Sequence, residues 1–314
     1  MKILTAEQTA HALPYPALVD AMDQVFAGEL TVPVRHHHTL PREGEADATL
    51  LIMPVWNAQF GCVKLVNVTP GNRQRSLPTI AASVLVFDGV SGQHVGLIDG
   101  ATLTARRTAA ASALGARHLA RPDAETLLVV GAGRVGAELP AAFAAVRPIR
   151  QVLVWNRHPE PAHQLVEALQ AQGITAKAHT ELETAVKQAD IISCATLATE
   201  PLIHGEWLQP GQHLDLLGAF TPQMREADDL ALQRSNLYID SEACVAEAGE
   251  IAIPLACGAI RREDILGTLA DLCRDTERRE ARSRDPQAIT CFKSAGNAAM
   301  DLAAASLAMQ VGTH

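Results

Sequence analysis

The sequence predicts an α/β fold built on a doubly wound parallel sheet. An apolar run at residues 126–130 is followed by Gly-Ala-Gly-Arg-Val-Gly at 131–136, a stretch rich in small residues, and a second apolar run at 152–155. This order is typical of a strand, a tight turn, a helix and a second strand. Further strand-like runs, separated by helix-like stretches, cover residues 191–195, 214–217 and 237–240. That alternation indicates a parallel sheet.

The chain before this segment has a different pattern, with a β-rich region at 31–100 between two helical stretches. The elements we expect there are a helix starting near Tyr15, a strand at 63–68, a hairpin of 84–87 with 94–98, and an Ala-rich helix at 103–119. Beyond the sheet, the charged segment 275–287 is expected to be a solvated surface element. The Ala-rich stretch 294–309 predicts a long helix, and its periodicity does not decide which domain it packs on.

Composition restricts the class of protein. The chain has 314 residues, of which 48% are hydrophobic and 19% charged, and its formal net charge is −9. These values are typical of a globular enzyme and argue against nucleic acid or an anionic membrane as a partner. The apolar runs are too short for a transmembrane helix, and the first 15 residues lack a signal-peptide core. The six cysteines are scattered without a CxxC pair, so we expect reduced thiols in a cytoplasmic protein.

The glycine-rich turn at 131–136 predicts a dinucleotide-binding site. Gly131 permits the turn, Gly133 lets the backbone approach a pyrophosphate, and Gly136 allows close packing of the helix on the sheet. Arg134 and Val135 complete the loop. The following helix is expected to present free N–H groups and its positive dipole end to the phosphates.

The end of the second strand indicates which cofactor binds. Sites selective for NAD usually carry Asp or Glu there, but this chain has Asn156-Arg157-His158. No carboxylate is available to repel a 2′-phosphate, and the Arg157 guanidinium can bind one. We therefore expect NADP(H) to be preferred, with NAD(H) also possible. If Arg157 is instead only a solvated strand-end residue, both cofactors would be used.

Candidate substrate anchors lie in the N-terminal region. Lys64 stands within an apolar strand, where most such lysines alternate to a solvated face, and Arg35 begins Arg-His-His-His. Arg106 and Arg107 are about 100° apart on a helix, so one of them should point inward. Adjacent histidines on a strand cannot all face one ion, and no acidic or cysteine cluster accompanies them, so no metal site is expected.

Several ordered segments give the chain a resemblance to the ornithine cyclodeaminase/mu-crystallin family over nearly its whole length. They are Leu4-Thr-Ala-Glu-Gln8, Lys64-Leu-Val-Asn67, Pro70-Gly-Asn72, Leu103 to Ala110 (LTARRTAA), the glycine-rich turn 131–136, and Lys293 to Ala298 (KSAGNA). The resemblance implies a homodimer with a Rossmann domain inserted in a discontinuous α+β substrate and dimerisation domain. On this basis we expect the substrate domain at 1–118, the Rossmann domain at 119–290, and a helix at 291–314 that returns to the substrate domain.

The resemblance also implies roles for individual residues. Arg35, Lys64 and Arg107 would hold a substrate carboxylate near the nicotinamide, with Lys64 also assigned to the catalytic group. Met53 and the 294–297 loop would line the nicotinamide side, and we assign Met53 and Phe220 to the substrate-binding residues together with Arg35, Lys64 and Arg107. We assign Ala195, Thr196, Ser294 and Gly296 to the cofactor site together with Gly131, Gly133, Arg134, Val135, Gly136, Asn156 and Arg157.

One departure from the family separates its chemistries. Cyclodeaminases carry an Asp soon after the strand that here ends near Gly218, and this chain has Phe220 at that position. A phenyl ring can neither accept a proton nor pair with an ammonium, but it can contact a flat ring. The resemblance therefore implies an NADPH-dependent reductase of a cyclic imino acid: Δ1-pyrroline-2-carboxylate to L-proline, and also Δ1-piperideine-2-carboxylate to L-pipecolate. The alternatives are an ornithine cyclodeaminase and, from another class, a mu-crystallin-like NADPH-bound ligand-binding protein with little turnover.

Overall fold

The computed structural model describes residues 1–274 and 285–310. The chain divides into two compact units, of which the first comprises Met1–Arg107 and Asn297–His314 and the second Thr108–Gly296. The predicted fold class, a parallel-sheet domain inserted between two parts of an α+β domain, is confirmed. Residues 275–284, and with them most of the charged segment predicted at 275–287, lie outside the described residues.

Unit 1 is built on a six-stranded sheet in the order β1-β6-β5-β4-β3-β2. Its strands are β1 (Lys2–Leu4), β2 (His36–Leu40), β3 (Ala48–Trp56), β4 (Phe60–Val68), β5 (Ile80–Asp88) and β6 (His94–Asp99). Its helices are α1 (Ala6–Ala12), α2 (Tyr15–Ala27), the first part of α3 (Gly100–Leu119), and a C-terminal helix (Ala298–Gln310). Apart from the parallel pair β1–β6, neighbouring strands are antiparallel.

The predicted hairpin and the helix starts follow from local hydrogen bonds. The hairpin is present as β5 and β6, and in its loop Asp88 Oδ1 accepts hydrogen bonds from the Val90 and Ser91 N–H groups. Helix α2 begins at Tyr15, as expected. Helix α3 begins three residues before the predicted position, because Asp99 Oδ1 accepts a hydrogen bond from Thr102 N at 2.7 Å and so caps an earlier first turn.

The C-terminal helix packs within unit 1, against α2 and the sheet. Its predicted start at residue 294 is wrong. A strand, β14 (Ile289–Lys293), comes first, and the helix begins at Ala298. Residues 294–296 cannot be helical because Gly296 has φ +80° and the N–H groups of Ala295 and Gly296 donate to Asp240. Asn297 Oδ1 then accepts from Ala299 N at 2.9 Å, which favours a helix start at this point.

Unit 2 contains an eight-stranded sheet whose neighbouring strands are all parallel, in the order β13-β12-β14-β11-β10-β7-β8-β9. Its strands are β7 (Thr126–Val130), β8 (Gln151–Trp155), β9 (Ala176–Ala178), β10 (Ile191–Cys194), β11 (His213–Leu216), β12 (Ser235–Ile239), β13 (Ile265–Thr268) and β14. Its helices after α3 are α4 (Leu139–Ala144), α5 (Pro159–Ala171), α6 (Leu182–Gln188), α7 (Asp229–Gln233), α8 (Cys244–Glu247), α9 (Gly249–Cys257) and α10 (Leu269–Arg274).

The parallel sheet positions the chemistry of unit 2 at one edge. The strands predicted near 191, 214 and 237 are present as β10, β11 and β12. The sequence did not predict β14, which lies between β11 and β12. Because all strands are parallel, the loops after β7, β8, β10, β11 and β14 meet at the carboxyl edge of the sheet, where open α/β sheets bind ligands.

None of the helices in the described part of the chain combines the length and apolar character needed to cross a membrane.

Candidate active site

The glycine-rich turn after β7 has three glycines with different surroundings. Gly131 has φ +104°, and a Cβ there would lie 2.7 Å from the Ala195 carbonyl oxygen. A Cβ on Gly136 would overlap the Gly131 carbonyl oxygen, whereas Gly133 has no atom within 4 Å of its Cβ position. The first and third glycines are therefore required by packing, and the second leaves open space in which a ligand can reach the backbone.

The helix predicted directly after this turn is interrupted. A 3-10 turn (Gly136–Glu138) comes first, and the six-residue α4 begins at Leu139. Pro140, near the start of α4, has no N–H to donate to the preceding turn, so regular α-helix begins only there. Arg134 is exposed and Val135 half-buried in the segment leading into the 3-10 turn.

Asn156 and Arg157 lie beside this turn because β8 pairs with β7 and Trp155 is the partner of Val130. Asn156 Oδ1 accepts a hydrogen bond from Ala132 N at 3.1 Å, and its amide group donates to the His158 carbonyl oxygen at 2.9 Å. A neutral side chain thus joins the two loops where NAD-selective sites carry a carboxylate. Arg157 is exposed next to it.

The remaining predicted cofactor residues follow strands of the same sheet. Ala195 and Thr196 come after β10, and Ser294 and Gly296 come after β14. Asp240, after β12, holds the second loop: its Oδ2 accepts hydrogen bonds from Ser294 Oγ, Ala295 N and Gly296 N at 2.7–3.0 Å. Phe220 is in the loop after β11, and 52% of its surface is exposed. The structure therefore brings these residues to one edge of the unit 2 sheet.

The acidic residues after Phe220 already have protein partners. Glu226 is fully buried, and its carboxylate accepts hydrogen bonds from Thr196 and Gly218. Asp228 caps α7 by accepting from Ala231 N at 2.9 Å, and it also accepts from Gly205 N. Neither carboxylate is available as a substitute for the Asp that Phe220 replaces.

In unit 1, two of the predicted substrate residues are directly opposed in the sheet. Met53 on β3 is paired with Lys64 on β4. Arg35 immediately precedes β2, whose first residue, His36, is paired with Ile52 on β3. Directly opposed residues of antiparallel strands point to the same face. Met53 and Lys64 therefore share the buried face of the sheet, and Arg35 stands half-buried at its margin.

Lys64 and Arg107 form a buried cluster with Asp301 of the C-terminal helix. Lys64 Nζ lies 2.7 Å from Asp301 Oδ2, and Arg107 Nε lies 3.0 Å from Asp301 Oδ1. Neither contact meets the alignment required of a hydrogen bond, so both are ion pairs by distance. The exposed fractions of Lys64, Arg107 and Asp301 are 2%, 6% and 0%. Two cations and one carboxylate leave a net charge of +1 in this cluster.

The cluster decides two points that the sequence left open. Lys64 is buried and paired, so the solvated-face alternative for it is wrong. Of the two adjacent arginines, Arg107 points inward, whereas the half-buried Arg106 donates to the Leu13 carbonyl oxygen and stacks on the Tyr15 ring at 4.3 Å. Burial lowers the pKa of the Lys64 ammonium to about 8, an effect that Asp301 opposes and Arg107 reinforces.

Comparison with known proteins decides the family. A model of the ornithine cyclodeaminase/mu-crystallin family matches residues 4–310. The chain belongs to this family. It is 41% identical over 302 residues to the Delta(1)-pyrroline-2-carboxylate reductase of Paracoccus denitrificans, covering 93% of this chain and 95% of that protein.

Two solved structures resemble the chain along nearly its whole length. One is Thermococcus litoralis Delta(1)-pyrroline-2-carboxylate reductase in complex with NADH and L-proline, with a TM-score of 0.87, 28% identity, and coverage of 99% of this chain and 97% of that one. The other is the iminosuccinate reductase of Paracoccus denitrificans in complex with NAD+, with a TM-score of 0.88, 26% identity, and coverage of 100% and 97%.

Asp301 is the residue of this family member that sequence reasoning missed. The signal was present, because it is the one charged residue in the C-terminal helix AAMDLAAASLAMQ. A carboxylate among alanines in a buried helix requires a partner. Glu226 is a second such residue, and nothing in its local sequence indicates that its carboxylate accepts hydrogen bonds from Thr196 and Gly218.

Proposed function

We propose that this protein reduces Δ1-pyrroline-2-carboxylate to L-proline with a nicotinamide cofactor, and Δ1-piperideine-2-carboxylate to L-pipecolate as a second reaction. The observation that carries this proposal is the buried Lys64–Arg107–Asp301 cluster. A buried net charge of +1 favours a further anion, and a substrate carboxylate supplies one. The similar proteins support the same substrate class. One is a reductase of this imine, and another is a solved complex with NADH and L-proline.

In the proposed reaction, Lys64, Arg107 and Arg35 hold the substrate carboxylate. A bound reduced nicotinamide supplies a hydride to the imine carbon. The ring nitrogen takes up one proton from solvent as C=N becomes CH–NH, and the Lys64 ammonium donates a hydrogen bond either to the carboxylate or to this nitrogen. With its pKa lowered to about 8, Lys64 remains mostly protonated at neutral pH and can donate either of these hydrogen bonds.

Phe220 and its surroundings favour imine reduction over cyclodeamination. In this proposal, Phe220 supplies an apolar contact for a flat ring. An ornithine side chain would need an anionic partner for its second ammonium, and both Glu226 and Asp228 are occupied by protein donors. An unpaired, desolvated ammonium would destabilise bound ornithine by several kcal/mol.

We propose NADP(H) as the preferred cofactor and NAD(H) as a second one. Support for this preference comes from the exposed Arg157 beside a neutral Asn156 at the β8 carboxyl end. The two solved relatives are complexes with NADH and NAD+, so we keep NAD(H) as the second cofactor. The glycine-rich turn, Ala195, Thr196, Ser294 and Gly296 form the cofactor site in this proposal.

We further propose that the protein acts as a homodimer in the cytoplasm. The face of the unit 1 sheet opposite Lys64 carries partly exposed apolar residues, among them Leu65 at 41% exposure. A second copy would cover such a face. All six cysteines are free thiols, five of them buried, which suits a reducing compartment. Light scattering of the purified protein tests the dimer.

The proposed reaction is tested by giving the purified protein Δ1-pyrroline-2-carboxylate with NADPH or NADH and following cofactor oxidation and L-proline. A parallel reaction contains L-ornithine and NAD+ and is assayed for ammonia. We expect proline formation and no ammonia above background. Robust ornithine turnover would instead show a cyclodeaminase. Tight NADPH binding with neither activity would indicate a ligand-binding protein.

A further inference from the structure

Glu226 makes three short hydrogen bonds that join two separate loops of unit 2. Its Oε1 accepts from Thr196 N at 2.8 Å and from Thr196 Oγ1 at 2.7 Å, and its Oε2 accepts from Gly218 N at 2.7 Å. Thr196 follows β10 and Gly218 follows β11, and these strands are neighbours in the sheet. One carboxylate therefore fixes the spacing of two adjacent loops at the carboxyl edge.

The surroundings of Glu226 hold its carboxylate in this position. The backbone N–H groups of Glu226 and Ala227 donate to the two oxygens of Glu250, on α9, at 2.8 and 2.9 Å. Glu226 is fully buried. A Cβ on Gly218 would overlap Thr196 and the Glu226 carboxylate, so only glycine permits the close approach. The contact is thus built from both sides.

The two loops that Glu226 joins belong to different parts of the proposed site. Thr196 is on the cofactor side, and Phe220, two residues after Gly218, is on the substrate side. The segment between Gly218 and Glu226 is closed by the bond between its own ends. Arg225 N also donates to the Ala198 carbonyl oxygen at 2.8 Å, and Gly249 N to that of Thr221 at 2.9 Å. These hydrogen bonds fix both ends of the loop that carries Phe220, and so restrict where Phe220 can lie at the sheet edge.

We propose that Glu226 is a positioning residue whose ionised carboxylate sets the cofactor-side loop and the Phe220 loop together, so that breaking this link weakens cofactor binding and imine turnover jointly. The substrate half of this inference rests on the proposed function, whereas the cofactor half does not. Glu226 touches neither ligand in this proposal and acts through Thr196 and Gly218.

The link should depend on pH. Burial raises the pKa of the Glu226 carboxyl to about 7, the Lys293 ammonium at the end of β14 lowers it, and Glu250 on α9 raises it. The Cys194 thiol on β10 also interacts electrostatically with Glu226, which raises the pKa of this buried thiol. Ionised Glu226 accepts from three donors. Protonation removes the negative charge that strengthens these hydrogen bonds and adds a hydrogen to one oxygen, so the link is weakened below about pH 7.

The decisive measurement is NADPH affinity, followed by cofactor fluorescence from pH 6 to pH 9 for wild type and Glu226→Gln. We expect wild-type affinity to fall as pH drops below about 7. The Gln variant should bind about tenfold more weakly at high pH, because its amide turns one acceptor into a donor, and the ratio of wild-type to variant affinity should fall as pH drops below about 7, since titration of the NADPH 2′-phosphate affects both proteins alike. Glu167→Gln, the same change on the exposed face of α5, should behave as wild type.

Two further readouts separate the possible results. Calorimetry of wild-type protein in buffers of different ionisation heat should show proton release near pH 7 on binding of NADH, which has no 2′-phosphate to titrate, and this measurement requires no variant to fold. Wild-type affinity and pH dependence in Glu226→Gln, or no proton release in wild type, would overturn the role of Glu226. If wild type shows the pH-dependent binding but does not reduce the imine, the proposed function fails and the role of Glu226 in cofactor binding stands.

Discussion

Asp301 in unit 1 and Glu226 in unit 2 are both fully buried carboxylates, and their partners differ. Asp301 lies between two side-chain cations, Lys64 and Arg107. Glu226 accepts two backbone N–H groups and one hydroxyl. The first arrangement leaves a buried net charge of +1, which in the proposed function is neutralised by an anionic substrate. The second produces a fixed shape, because backbone donors can be bound only where loops already approach each other.

The two arrangements should respond differently to neutralisation. Removing the charge of Asp301 leaves buried cations without an anion, and the energy of that state is high. Removing the charge of Glu226 leaves neutral backbone donors, whose unmet hydrogen bonds are less costly. The stability of unit 1 should therefore depend more on Asp301 than the stability of unit 2 depends on Glu226.

Asp301→Asn should test this difference most severely. We expect the free energy of unfolding to fall by about 3–5 kcal/mol, because Lys64 and Arg107 lose their anion while buried. Urea unfolding measures the change. A loss below about 1 kcal/mol, the range of exposed ion pairs, would contradict a desolvated cluster.

A double variant provides the control. Lys64→Met with Asp301→Asn removes one cation and one anion, so the net charge of the cluster returns to +1. It should recover much of the stability lost in Asp301→Asn alone, because the effects of residues in contact are not additive. It should not recover imine turnover, since Lys64 is absent.

Arg107→Ala should separate substrate binding from cofactor binding. We expect kcat/KM for the imine to fall by roughly two to three orders of magnitude, equivalent to about 3–4 kcal/mol, with NADPH affinity almost unchanged. Arg106→Ala removes the same charge from the same helix. Arg106 instead donates a hydrogen bond to the Leu13 carbonyl oxygen and stacks on the Tyr15 ring. Its loss should therefore lower thermal stability and leave kcat/KM for the imine unchanged. A larger fall in kcat/KM for Arg106→Ala than for Arg107→Ala would contradict the inward orientation of Arg107.

The grouping of the proposed cofactor residues at one sheet edge could be predicted from sequence because their signals are local. Gly131, Gly133 and Gly136 belong to one turn, and Asn156 and Arg157 follow the next strand. The residues of the proposed substrate site come from β3, β4, α3 and the C-terminal helix, which are distant in sequence. The resemblance to a family identified Lys64 and Arg107, but their shared partner Asp301 depends on how the C-terminal helix packs, which its alanine-rich sequence does not specify.

Local hydrogen bonds explain where the predicted boundaries were wrong. The helix expected from residue 294 begins at Ala298, because Asp240 binds the N–H groups of Ala295 and Gly296 from another strand end. The helix after the glycine-rich turn is delayed by Pro140. In the first case hydrogen bonds to Asp240 restrict the backbone, and in the second the ring of Pro140 does. The periodicity of apolar residues indicates only which positions are buried.

Arg157→Ala should sharpen the cofactor comparison. Loss of a charge-assisted contact to the 2′-phosphate should weaken NADPH binding by about 1.5–3 kcal/mol, or roughly one to two orders of magnitude, with little effect on NADH. Arg150→Ala, just before the amino end of the same strand, is the matched control, since its exposed pair with Glu125 lies at the opposite sheet edge. Equal small losses for both cofactors in Arg157→Ala would show that Arg157 is only a surface residue.

The pH dependence of imine turnover should show the smallest effect and distinguish the two units. Lys64 in unit 1 has a pKa lowered to about 8, so it is charged below that value and neutral above it. Because the charged form binds the substrate carboxylate, kcat/KM should fall above pH 8, by about tenfold (1.4 kcal/mol) for each further pH unit. Lys64→Arg keeps its charge throughout this range and should remove the alkaline fall, provided that thermal unfolding shows the variant folded. Titration of the imine itself would affect both proteins alike and cancels in their ratio. The Glu226 limb lies on the acid side, so a Lys64→Arg variant that loses the acid limb instead would contradict both assignments.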